Sequence, residues 1–400
     1  MPGRTITVLY VHSSADLYGS DVALLNLVTR LPETIRPIVV LPEEGLLAER
    51  FREHGIDTRI FPLAVPRRYY CHPMRVYRLL MLLVEFVTCW WRMRRLIRRE
   101  RVDLVHLNVS ILLGPAWVAR GCGKPVLWHC REIFPERGWW RRLLIGAAER
   151  WATRIACISN AVRAQFHAHD KACVVFDAVV PEELKTRDSA PVRQQLGLRP
   201  DDLCVGIVGR LNDWKGQDVL IRAAPRVLQQ FPTAVFLVVG DVYKKNEAIR
   251  RDLQRLTEEL GIRSRVLFTG FRTDVSRILD VMDVFVLASK RPEPFGIVQL
   301  EAMMKEKPVV ATNRGGPLDV VVEGETGFLV PPNDPESLAT KIIELLENPG
   351  LRASMGRKGR QRVLESFTLE RQVADVVNIY SSMIEERAGK GGRQERTAER

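Results

Sequence analysis

The sequence predicts an α/β fold with two Rossmann-like domains, each built on a parallel sheet. Short apolar runs rich in β-branched residues alternate with longer segments of helical periodicity along the 400 residues. Strands that are buried on both faces of a sheet have this continuous apolar character, and strand–helix alternation favours parallel pairing through right-handed crossovers. The alternation forms two series, and a chain of this length is long enough for about two domains.

The first series contains seven predicted strands, separated by helical segments such as Ser20–Leu31 and Glu44–His54. These strands are Ile6–Val11, Ile38–Leu41, Thr58–Phe61, Val102–His106, Pro125–His129, Arg154–Ile158 and Ala172–Phe176. The second series contains six strands, at Cys204–Val208, Val235–Val239, Val266–Thr269, Val284–Leu287, Val309–Thr312 and Phe328–Val330. Between them, Pro181–Asp202 mixes Pro, charge and small polar residues, as linkers do. We therefore expect one domain over residues 1–190 and a second over residues 200–368.

Beyond the second series, the chain contains one more helical segment and a polar tail. The segment Leu369–Arg387 has the periodicity of a helix. Residues 388–400 lack large apolar side chains, so they cannot bury enough surface to offset the entropy of ordering and are expected to be disordered.

Composition and charge limit the classes of partner. Hydrophobic residues make up 46% and charged residues 27%, which is ordinary for a soluble chain, but the net charge is +12. Such a charge favours a nucleotide, a nucleic acid or an anionic membrane. No nucleic-acid-binding motif accompanies it, so we expect no nucleic-acid partner. The seven cysteines are scattered without a Cys-x-x-Cys pair, and residues 1–4 lead directly into a strand without a signal peptide, which together predict a cytoplasmic protein.

Residues 67–101 break the soluble pattern. Their apolar centre, Val76–Trp91, is too short for a comfortable membrane span, and Trp90 and Trp91 stand where it meets a basic segment. The flanking arginines are Arg67, Arg68, Arg75, Arg92, Arg94, Arg95, Arg98, Arg99 and Arg101. A similar Trp-Arg patch begins residues 139–144. These two segments predict peripheral attachment to the anionic inner face of a membrane, where each Arg contributes about 1 kcal/mol. The alternative is a core helix with a solvated basic face.

Two carboxylates, Glu293 and Glu301, stand eight positions apart around a Pro-Phe-Gly turn that leads into a helix. Gly296 allows the sharp turn and leaves backbone N–H groups at the mouth of that helix, where the partial positive charge suits an anion. One Glu on the turn and one on the helix are then placed to bind hydroxyls on either side of a phosphate. A diphosphate that links a sugar to a ribose has this layout.

A second phosphate-binding pattern follows the strand Cys204–Val208. The run Gly209–Gly216 contains Arg210 and Lys215 ahead of a helix, without the Walker arrangement of a P-loop. Arg210 supplies a planar fork and Lys215 a mobile point charge, so both are candidates to bind one diphosphate. The plain interpretation of such a pair is a solvated loop.

The carboxylate run resembles the E-x7-E signature of family 4-type retaining glycosyltransferases with a GT-B fold. The resemblance rests on Pro292–Ala302, on Pro308–Thr312 with Gly315-Gly316, and on a Gly-Arg…Lys-Gly motif at Gly209–Gly216. It implies two facing Rossmann-like domains and a final helix, Leu369–Arg387, that crosses back to the first domain. The donor would be a nucleoside diphosphate sugar such as a UDP- or GDP-sugar, with no cofactor and no metal.

The resemblance also implies roles for single residues in the donor site. Arg210 and Lys215 would bind the diphosphate, and Glu301 the ribose hydroxyls. Glu293 would bind hydroxyls of the transferred sugar. The residues implied to help are Phe295 and Gly296 through their backbone N–H groups, and Gly240 and Phe271 near the base.

On the acceptor side, the resemblance implies that His129 lies beneath the anomeric carbon and that Gly19 belongs to a loop that approaches the diphosphate. Two positions depart from the family pattern. Tyr18 precedes Gly19 where two adjacent glycines are usual, and Asp177-Ala178-Val179 stands where many relatives have Asn-Gly-Val. Asp16 or Asp21, near the start of the next helix, is expected either to contact the acceptor or to cap that helix.

The expected reaction is transfer of a sugar to an acceptor hydroxyl with retention of anomeric configuration. The attacking hydroxyl would pass its proton to the leaving phosphate. No Asp-x-Asp occurs in the chain, which argues against the metal-dependent GT-A design. Membrane attachment favours a lipid-linked saccharide or glycolipid of cell-surface polysaccharide synthesis as acceptor. The alternatives are a sugar phosphorylase, a sugar-nucleotide epimerase, a glycoside hydrolase that uses the two glutamates, and a non-catalytic membrane-bound scaffold.

Overall fold

The computed structural model of the chain describes residues 4–65, 76–135, 138–242 and 247–398. In the helices Val76–Arg99 and Leu369–Ala398, side chains are described from residue 80 onward and up to residue 387, respectively. The chain divides into two units. The first comprises Met1–Asp177 with Leu369–Arg400, and the second comprises Ala178–Thr368.

The predicted apolar runs form the strands, and the central runs are buried on both faces of a sheet, whereas those at the sheet edges are less buried. In the first unit these are β1 (Ile6–Val11), β2 (Ile35–Leu41), β3 (Asp57–Ile60), β4 (Leu104–Leu107), β5 (Val126–Cys130), β6 (Arg154–Cys157) and β7 (Ala172–Val174). In the second they are β8 (Cys204–Val208), β9 (Val235–Val239), β10 (Val266–Gly270), β11 (Val284–Leu287), β12 (Val309–Thr312) and β13 (Gly327–Val330). The predicted α/β fold with two parallel sheets is confirmed.

Both sheets are parallel, and in each the strand order reverses once. The first runs β3-β2-β1-β4-β5-β6-β7 and the second runs β10-β9-β8-β11-β12-β13. The reversals lie between β1 and β4 and between β8 and β11. In open sheets of this kind, ligands bind at the carboxyl ends of the strands next to the reversal. The topology therefore predicts that the loops that follow β8 and β11 form a ligand-binding site.

Helices connect the strands in both units. Those of the first unit are α1 (Gly19–Thr29), α2 (Leu46–Glu53), α3 (Val76–Arg99), α4 (Leu113–Gly121), α5 (Trp139–Trp151), α6 (Asn160–Arg163) and α15 (Leu369–Ala398). Those of the second unit are α7 (Ala190–Gln195), α8 (Gln217–Gln230), α9 (Glu247–Glu259), α10 (Val275–Asp280), α11 (Ile297–Met304), α12 (Pro317–Val320), α13 (Pro335–Glu347) and α14 (Pro349–Ser366). Two short 3-10 helices occur at Pro181–Leu184 and Arg263–Arg265. No helix in the described part of the chain combines enough length with enough apolar character to cross a bilayer.

The final helix α15 packs into the core of the first unit, as the resemblance implies. Val376, Tyr380 and Met383 of α15 are buried in the cluster that covers the first sheet. The Tyr380 hydroxyl lies 2.7 Å from the hydroxyl of Tyr10 on β1 and 2.6 Å from Nδ1 of His106 on β4. This helix therefore belongs structurally to the first unit although it follows the second in sequence.

Two details of the expected organisation are corrected. The stretch Pro181–Asp202 contains a 3-10 helix and α7 and belongs to the second unit, where the Lys305 ammonium donates to the Lys185 carbonyl at 2.6 Å. The expectation of a disordered tail over 388–400 is wrong as far as Ala398, because α15 continues to that residue. Extending an existing helix avoids the cost of nucleation, and Gln, Glu, Lys and Arg are good helix formers. Residues 399–400 lie outside the described residues.

Helix α3 buries one face and exposes another that is also apolar. Cys89, Met93 and Ile97, spaced four apart, are buried against the first unit. The exposed apolar residues of α3 are Leu80, Met81, Leu83, Val84, Val87 and Trp91. The neighbouring helices α4 and α5 add exposed Trp117, Trp139 and Leu143. We call these nine residues the apolar face of the first unit. The predicted arginines Arg67, Arg68 and Arg75 lie outside the described residues.

Candidate active site

Two loops cross at the reversal point of the second sheet. The loop after β8 ends at Gly216, and the loop after β11 contains Lys290, whose N–H donates to the Trp214 carbonyl at 2.7 Å. Gly216 has φ +78°, and a Cβ built there would lie 1.9 Å from the Ala288 carbonyl oxygen. Only glycine fits so close an approach, so the two loops are held together at this position.

This crossing brings Lys215 and Glu293 into direct contact. The Lys215 ammonium donates to both carboxylate oxygens of Glu293, at 2.9 and 2.8 Å. The Ser289 hydroxyl donates to the same carboxylate at 2.7 Å, and the ammonium lies 4.5 Å from the centre of the Trp214 ring. The side chains of Lys215 and Glu293 are only 17% and 6% exposed. Both charged groups are therefore fixed in position before any ligand arrives.

A third loop, after β12, supports the backbone of Glu293. The N–H of Gly316 donates to the Glu293 carbonyl at 2.7 Å. Gly315 has φ +81°, and a Cβ there would lie 2.2 Å from the same oxygen. The Gly-Gly pair of the sequence motif thus allows two loops to lie backbone against backbone.

The turn that follows Glu293 begins helix α11. Gly296 has φ +83° and precedes the first helical residue. Phe295 is buried, and its ring packs 5.9 Å from that of Phe367. Its side chain therefore stabilises the turn, and its carbonyl accepts a hydrogen bond from the Gln299 side chain at 2.6 Å.

Glu301 lies one turn into α11 and is partly exposed. Burial raises the pKa of its carboxyl group to about 7. Among the described residues, none forms a hydrogen bond or ion pair with this carboxylate. The group retains its capacity to accept hydrogen bonds from a ligand, and it is ionised mainly above neutral pH.

The remaining donor-side residues lie on loops at the same edge of the sheet. Arg210 is the second residue after β8 and is exposed. Gly240 has φ +129°, and a Cβ there would lie 2.1 Å from the Gly209 carbonyl oxygen. Its N–H donates to the Gly270 carbonyl at 3.0 Å, and the next residue, Phe271, is 69% exposed. All the loops predicted to bind the donor therefore adjoin at the carboxyl ends of β8 to β12.

In the first unit, His129 is the penultimate residue of β5 and is fully buried. Its Nδ1 lies 3.3 Å from Nε2 of His106, whose other nitrogen meets the Tyr380 hydroxyl. Its Nε2 has no hydrogen-bond partner among the described residues. Burial, and then the positive charge of Arg131, hold the pKa of His129 well below its usual range. His129 is therefore a neutral imidazole with one nitrogen unused by the protein.

Sequence reasoning missed a buried polar network at the carboxyl edge of the first sheet. Arg131, directly after β5, forms an ion pair with Asp177, which follows β7, and donates to the Asn108 side chain at 3.2 Å. Asn108 follows β4, and its amide nitrogen lies 3.1 Å from Nδ1 of His12, which follows β1. One terminal nitrogen of Arg131 is buried without a partner among the described residues. Each of these four residues lies within two positions of the end of a predicted strand, but that position alone does not show that they contact one another.

The first loop of the chain has a clear structural role. Asp21 is buried, and its carboxylate accepts from the Tyr18 N–H at 2.8 Å and the Ser14 hydroxyl at 2.6 Å. It also lies 2.6 Å from Nε2 of His12. Of the two roles left open for Asp21, the structure supports the capping one. Gly19 begins α1, and a Cβ there would meet nothing within 4 Å, so the fold itself does not require glycine at this position.

Comparisons with known proteins agree with this architecture. Residues 188–362 match the family described as "Glycosyl transferases group 1", and residues 19–180 match "Glycosyltransferase Family 4". The chain is similar to the GDP-mannose-dependent alpha-(1-6)-phosphatidylinositol monomannoside mannosyltransferase of Mycolicibacterium smegmatis. The two are 30% identical over 322 residues, which cover 74% of this chain and 81% of that one.

A second relative is the capsular polysaccharide biosynthesis glycosyltransferase CapM of Staphylococcus aureus, 32% identical over 48% of this chain and 49% of that one. The chain spans about half the length of several curated relatives that it matches, from 49% to 55%. Among solved structures, the Anabaena protein Alr3699/HepE in complex with UDP and glucose has a TM-score of 0.81 and 25% identity, and it covers 94% of this chain and 100% of its own. The chain therefore belongs to the group 1 glycosyltransferases and has their GT-B fold.

Proposed function

We propose that this protein transfers a sugar from a nucleoside diphosphate sugar to an acceptor hydroxyl with retention of anomeric configuration. The observation that carries the proposal is the contact between Lys215 and Glu293 at the reversal point of the second sheet. A cation suited to a diphosphate and a carboxylate suited to sugar hydroxyls are held 2.8 Å apart there. A sugar diphosphate presents both complementary groups, a phosphate beside sugar hydroxyls.

The donor side of the proposal follows from the charges on the loops. Lys215 has three N–H donors and uses two of them on Glu293, which leaves one for a phosphate oxygen. Arg210 adds a second cation from the same loop. Glu301, with no protein partner among the described residues, is assigned to the ribose hydroxyls. Because HepE binds UDP and the mycolicibacterial relative is named for GDP-mannose, UDP- and GDP-sugars are the donors to test first.

In the proposed reaction, the bond between the anomeric carbon and the leaving diphosphate oxygen breaks as the acceptor oxygen bonds to the same face of that carbon. The acceptor proton moves to the leaving phosphate. Negative charge grows on the diphosphate, and Arg210 and Lys215 stabilise it. Each charge-assisted contact contributes about 1.5–3 kcal/mol, so the pair accounts for about two to four decades of rate. His129 is assigned to the acceptor side of the reaction.

The two cations also lead to a proposal about metal ions. Because Arg210 and Lys215 supply positive charge where the diphosphate leaves, transfer should proceed fully in the presence of a chelator. Loss of turnover in EDTA that manganese restores would contradict this mechanism. Protein that has passed through the same buffer exchange without EDTA serves as the control.

The acceptor is proposed to be a lipid-linked saccharide or glycolipid presented by an anionic membrane on its cytoplasmic side. The support is the apolar face of the first unit, which exposes aliphatic and Trp side chains beside a row of arginines. Arg94 lies 5.3 Å from the ring of Trp90, and Arg95 lies 5.5 Å from the ring of Trp91. Trp beside Arg, next to exposed aliphatic residues, is typical of surfaces that lie on anionic leaflets. A core helix with a solvated basic face would not expose these aliphatic residues.

Membrane attachment is tested by sedimentation with vesicles that contain phosphatidylglycerol. The variant Leu83→Ser/Val87→Ser removes two exposed aliphatic side chains without changing charge, and it should reduce the bound fraction severalfold. Leu318→Ser/Leu364→Ser changes two exposed leucines of the second unit and is the matched control. Equal sedimentation of all three proteins would contradict the assignment of this face.

The catalytic proposal is tested by incubating the protein with a panel of nucleotide sugars and a lipid extract. The expected result is release of nucleoside diphosphate together with a glycosylated lipid whose anomeric configuration matches the donor. Inversion would contradict the retaining mechanism. A product formed without acceptor would indicate an epimerase, a requirement for inorganic phosphate would indicate a phosphorylase, and function retained in Glu293→Gln would indicate a scaffold.

A further inference from the structure

A cationic cavity lies at the amino edge of the first sheet, the edge opposite to the one that carries His129. It has a volume of about 730 Å³. It forms where the end of α3, the end of α4 and the part of α15 around Ile384 and Arg387 meet the starts of β1, β4 and β5. Six cationic side chains line it: Arg4, Arg94, Arg98, Arg101, Lys124 and Arg387.

The protein itself neutralises little of this charge. Asp103 is the one carboxylate in the lining, and it accepts from Arg4 at 2.7 Å and from the N–H of Thr7 at 2.9 Å. Among the described residues, none forms an ion pair with Arg98 or Lys124. Like charges gathered at one site repel each other and destabilise the fold unless an anion enters.

The effect of this crowding is evident at Lys124. Burial lowers the pKa of its ammonium, and the nearby Arg387 cation lowers it further. A bound anion would offset the effect of the Arg387 charge on the pKa of Lys124. The cavity therefore has the positive charge of a phosphate-binding site, and the protein's own carboxylates do not balance that charge.

The cavity is continuous with the Trp-Arg surface of α3. Arg94 and Arg98 also line a second depression, together with Trp90 and Trp91. Trp91 belongs to the apolar face, which continues along α3 toward Leu80. A ligand that filled the cavity with phosphate would thus have exposed apolar surface beside it for acyl chains. A free oligophosphate would use the cavity alone.

We propose that this cavity binds the phosphate headgroup of an anionic phospholipid, with the acyl chains lying toward Trp90 and Trp91. The proposal extends the membrane attachment proposed above and rests on it. It assigns a discrete lipid site to the edge of the sheet opposite to the polar network of Arg131. Such a site would fix the orientation of the first unit on the leaflet. The apolar face alone determines how deeply the unit inserts, but not its rotation about the membrane normal.

The test uses the full chain and dihexanoyl phosphatidylglycerol at concentrations where this lipid is monomeric. Calorimetric titration should show binding of this lipid, and binding at least 10-fold weaker of dihexanoyl phosphatidylcholine, whose headgroup has no net charge. The variant Arg98→Ser/Lys124→Ser should bind the anionic lipid at least 10-fold more weakly than the unmodified protein. Arg357→Ser/Lys358→Ser removes the same charge from exposed positions of α14 and should bind normally.

Each outcome decides the proposal. Equal affinity of both variants, or no binding of the anionic lipid, overturns it. Binding of inorganic pyrophosphate that Arg98→Ser/Lys124→Ser loses, without binding of the lipid, overturns the lipid assignment and identifies a free phosphate as the ligand of the cavity. If the monomeric lipid binds but the protein does not sediment with vesicles, the lipid site in the cavity is supported and the proposed membrane attachment is contradicted. Without lipid, Arg98→Ser/Lys124→Ser should unfold at the same or a higher temperature than the unmodified protein, which shows that any loss of binding is not a folding defect.

Discussion

The contact between Lys215 and Glu293 should contribute both to the free energy of unfolding and to donor binding. The Glu293 side chain is only 6% exposed, and replacing Lys215 by Met leaves its carboxylate with the hydrogen bond from the Ser289 hydroxyl but without a cation. Removing one partner of a buried pair costs about 3–5 kcal/mol, and the lower end applies here because the Lys215 side chain is 17% exposed. We therefore expect Lys215→Met to lower the free energy of unfolding by about 3 kcal/mol.

A double-mutant cycle separates the pair from other effects of the substitutions. Glu293→Gln alone leaves an ammonium that retains contact with the Trp214 ring and with water, so its cost should be smaller. The double variant Lys215→Met/Glu293→Gln has no unpaired charge, and the coupling energy should exceed about 1.5 kcal/mol. Urea unfolding of the four proteins measures it. A coupling energy below about 0.5 kcal/mol would refute the reasoning.

The same variants distinguish the two proposed roles in donor binding. Losing one charge-assisted contact, about 1.5–3 kcal/mol, should weaken binding of a nucleoside diphosphate to Lys215→Met about 10- to 100-fold. Glu293→Gln should bind the nucleoside diphosphate almost normally but lose sugar transfer, since its contact is with the sugar. Calorimetric titration of UDP and GDP into both variants measures the difference. Equal nucleotide affinity in both variants would contradict the assignment.

Three further predictions concern single positions. Burial raises the pKa of Glu301 from 4.5 to about 7, so the folded protein loses stability as the pH rises from about 4.5 to 7 and the buried carboxyl group ionises. Glu301→Gln should therefore be more stable than the unmodified protein by about 3 kcal/mol at pH 8 and about equal to it at about pH 4, as measured by thermal unfolding. Donor affinity should fall as the pH drops from 8 to 6 in the unmodified protein but not in Glu301→Gln. Gly216→Ala should cost more than about 3 kcal/mol, whereas Gly324→Ala, with φ +73° and no atom within 4 Å of its Cβ, should cost about 1 kcal/mol from backbone strain alone. Asp177→Asn should destabilise the protein by about 3 kcal/mol because it leaves the buried Arg131 guanidinium without its carboxylate partner. Arg131→Met added to it should recover part of that loss in urea unfolding.

The strands could be predicted from sequence because burial on both faces leaves continuous apolar runs. The ends of the strands are harder to predict where a residue forms its backbone hydrogen bond with a neighbouring helix instead. Val102 was expected to begin a strand, but its N–H donates to the Ile97 carbonyl at the end of α3, and β4 begins at Leu104. Local sequence does not show which of two partners a backbone N–H will take.

The linker and the tail show where composition misleads. Pro and charge in Pro181–Asp202 suggest a solvated connection, but Lys305, 120 residues away, bonds to the Lys185 carbonyl and ties the stretch to the second unit. That contact depends on tertiary structure alone. The tail was judged as an isolated polar segment, whereas it extends a helix whose earlier turns are anchored by Tyr380.

The donor-side loops could be predicted because glycine, a basic residue and a strand end occur together in a short run. The network around Arg131 could not, since Arg131 and Asp177 are 46 residues apart. Their proximity depends on the order β5-β6-β7, which places the two strand ends at one edge. The burial that raises the pKa of Glu301 is likewise a property of the packed helix rather than of the motif.

A crystal structure of the protein with a nucleoside diphosphate sugar tests the central claim most directly. The account predicts a diphosphate at the carboxyl ends of β8 and β11 in contact with both Arg210 and Lys215, with Glu301 on the ribose and Glu293 on the sugar. A donor bound elsewhere, or one whose diphosphate touches neither cation, would contradict it.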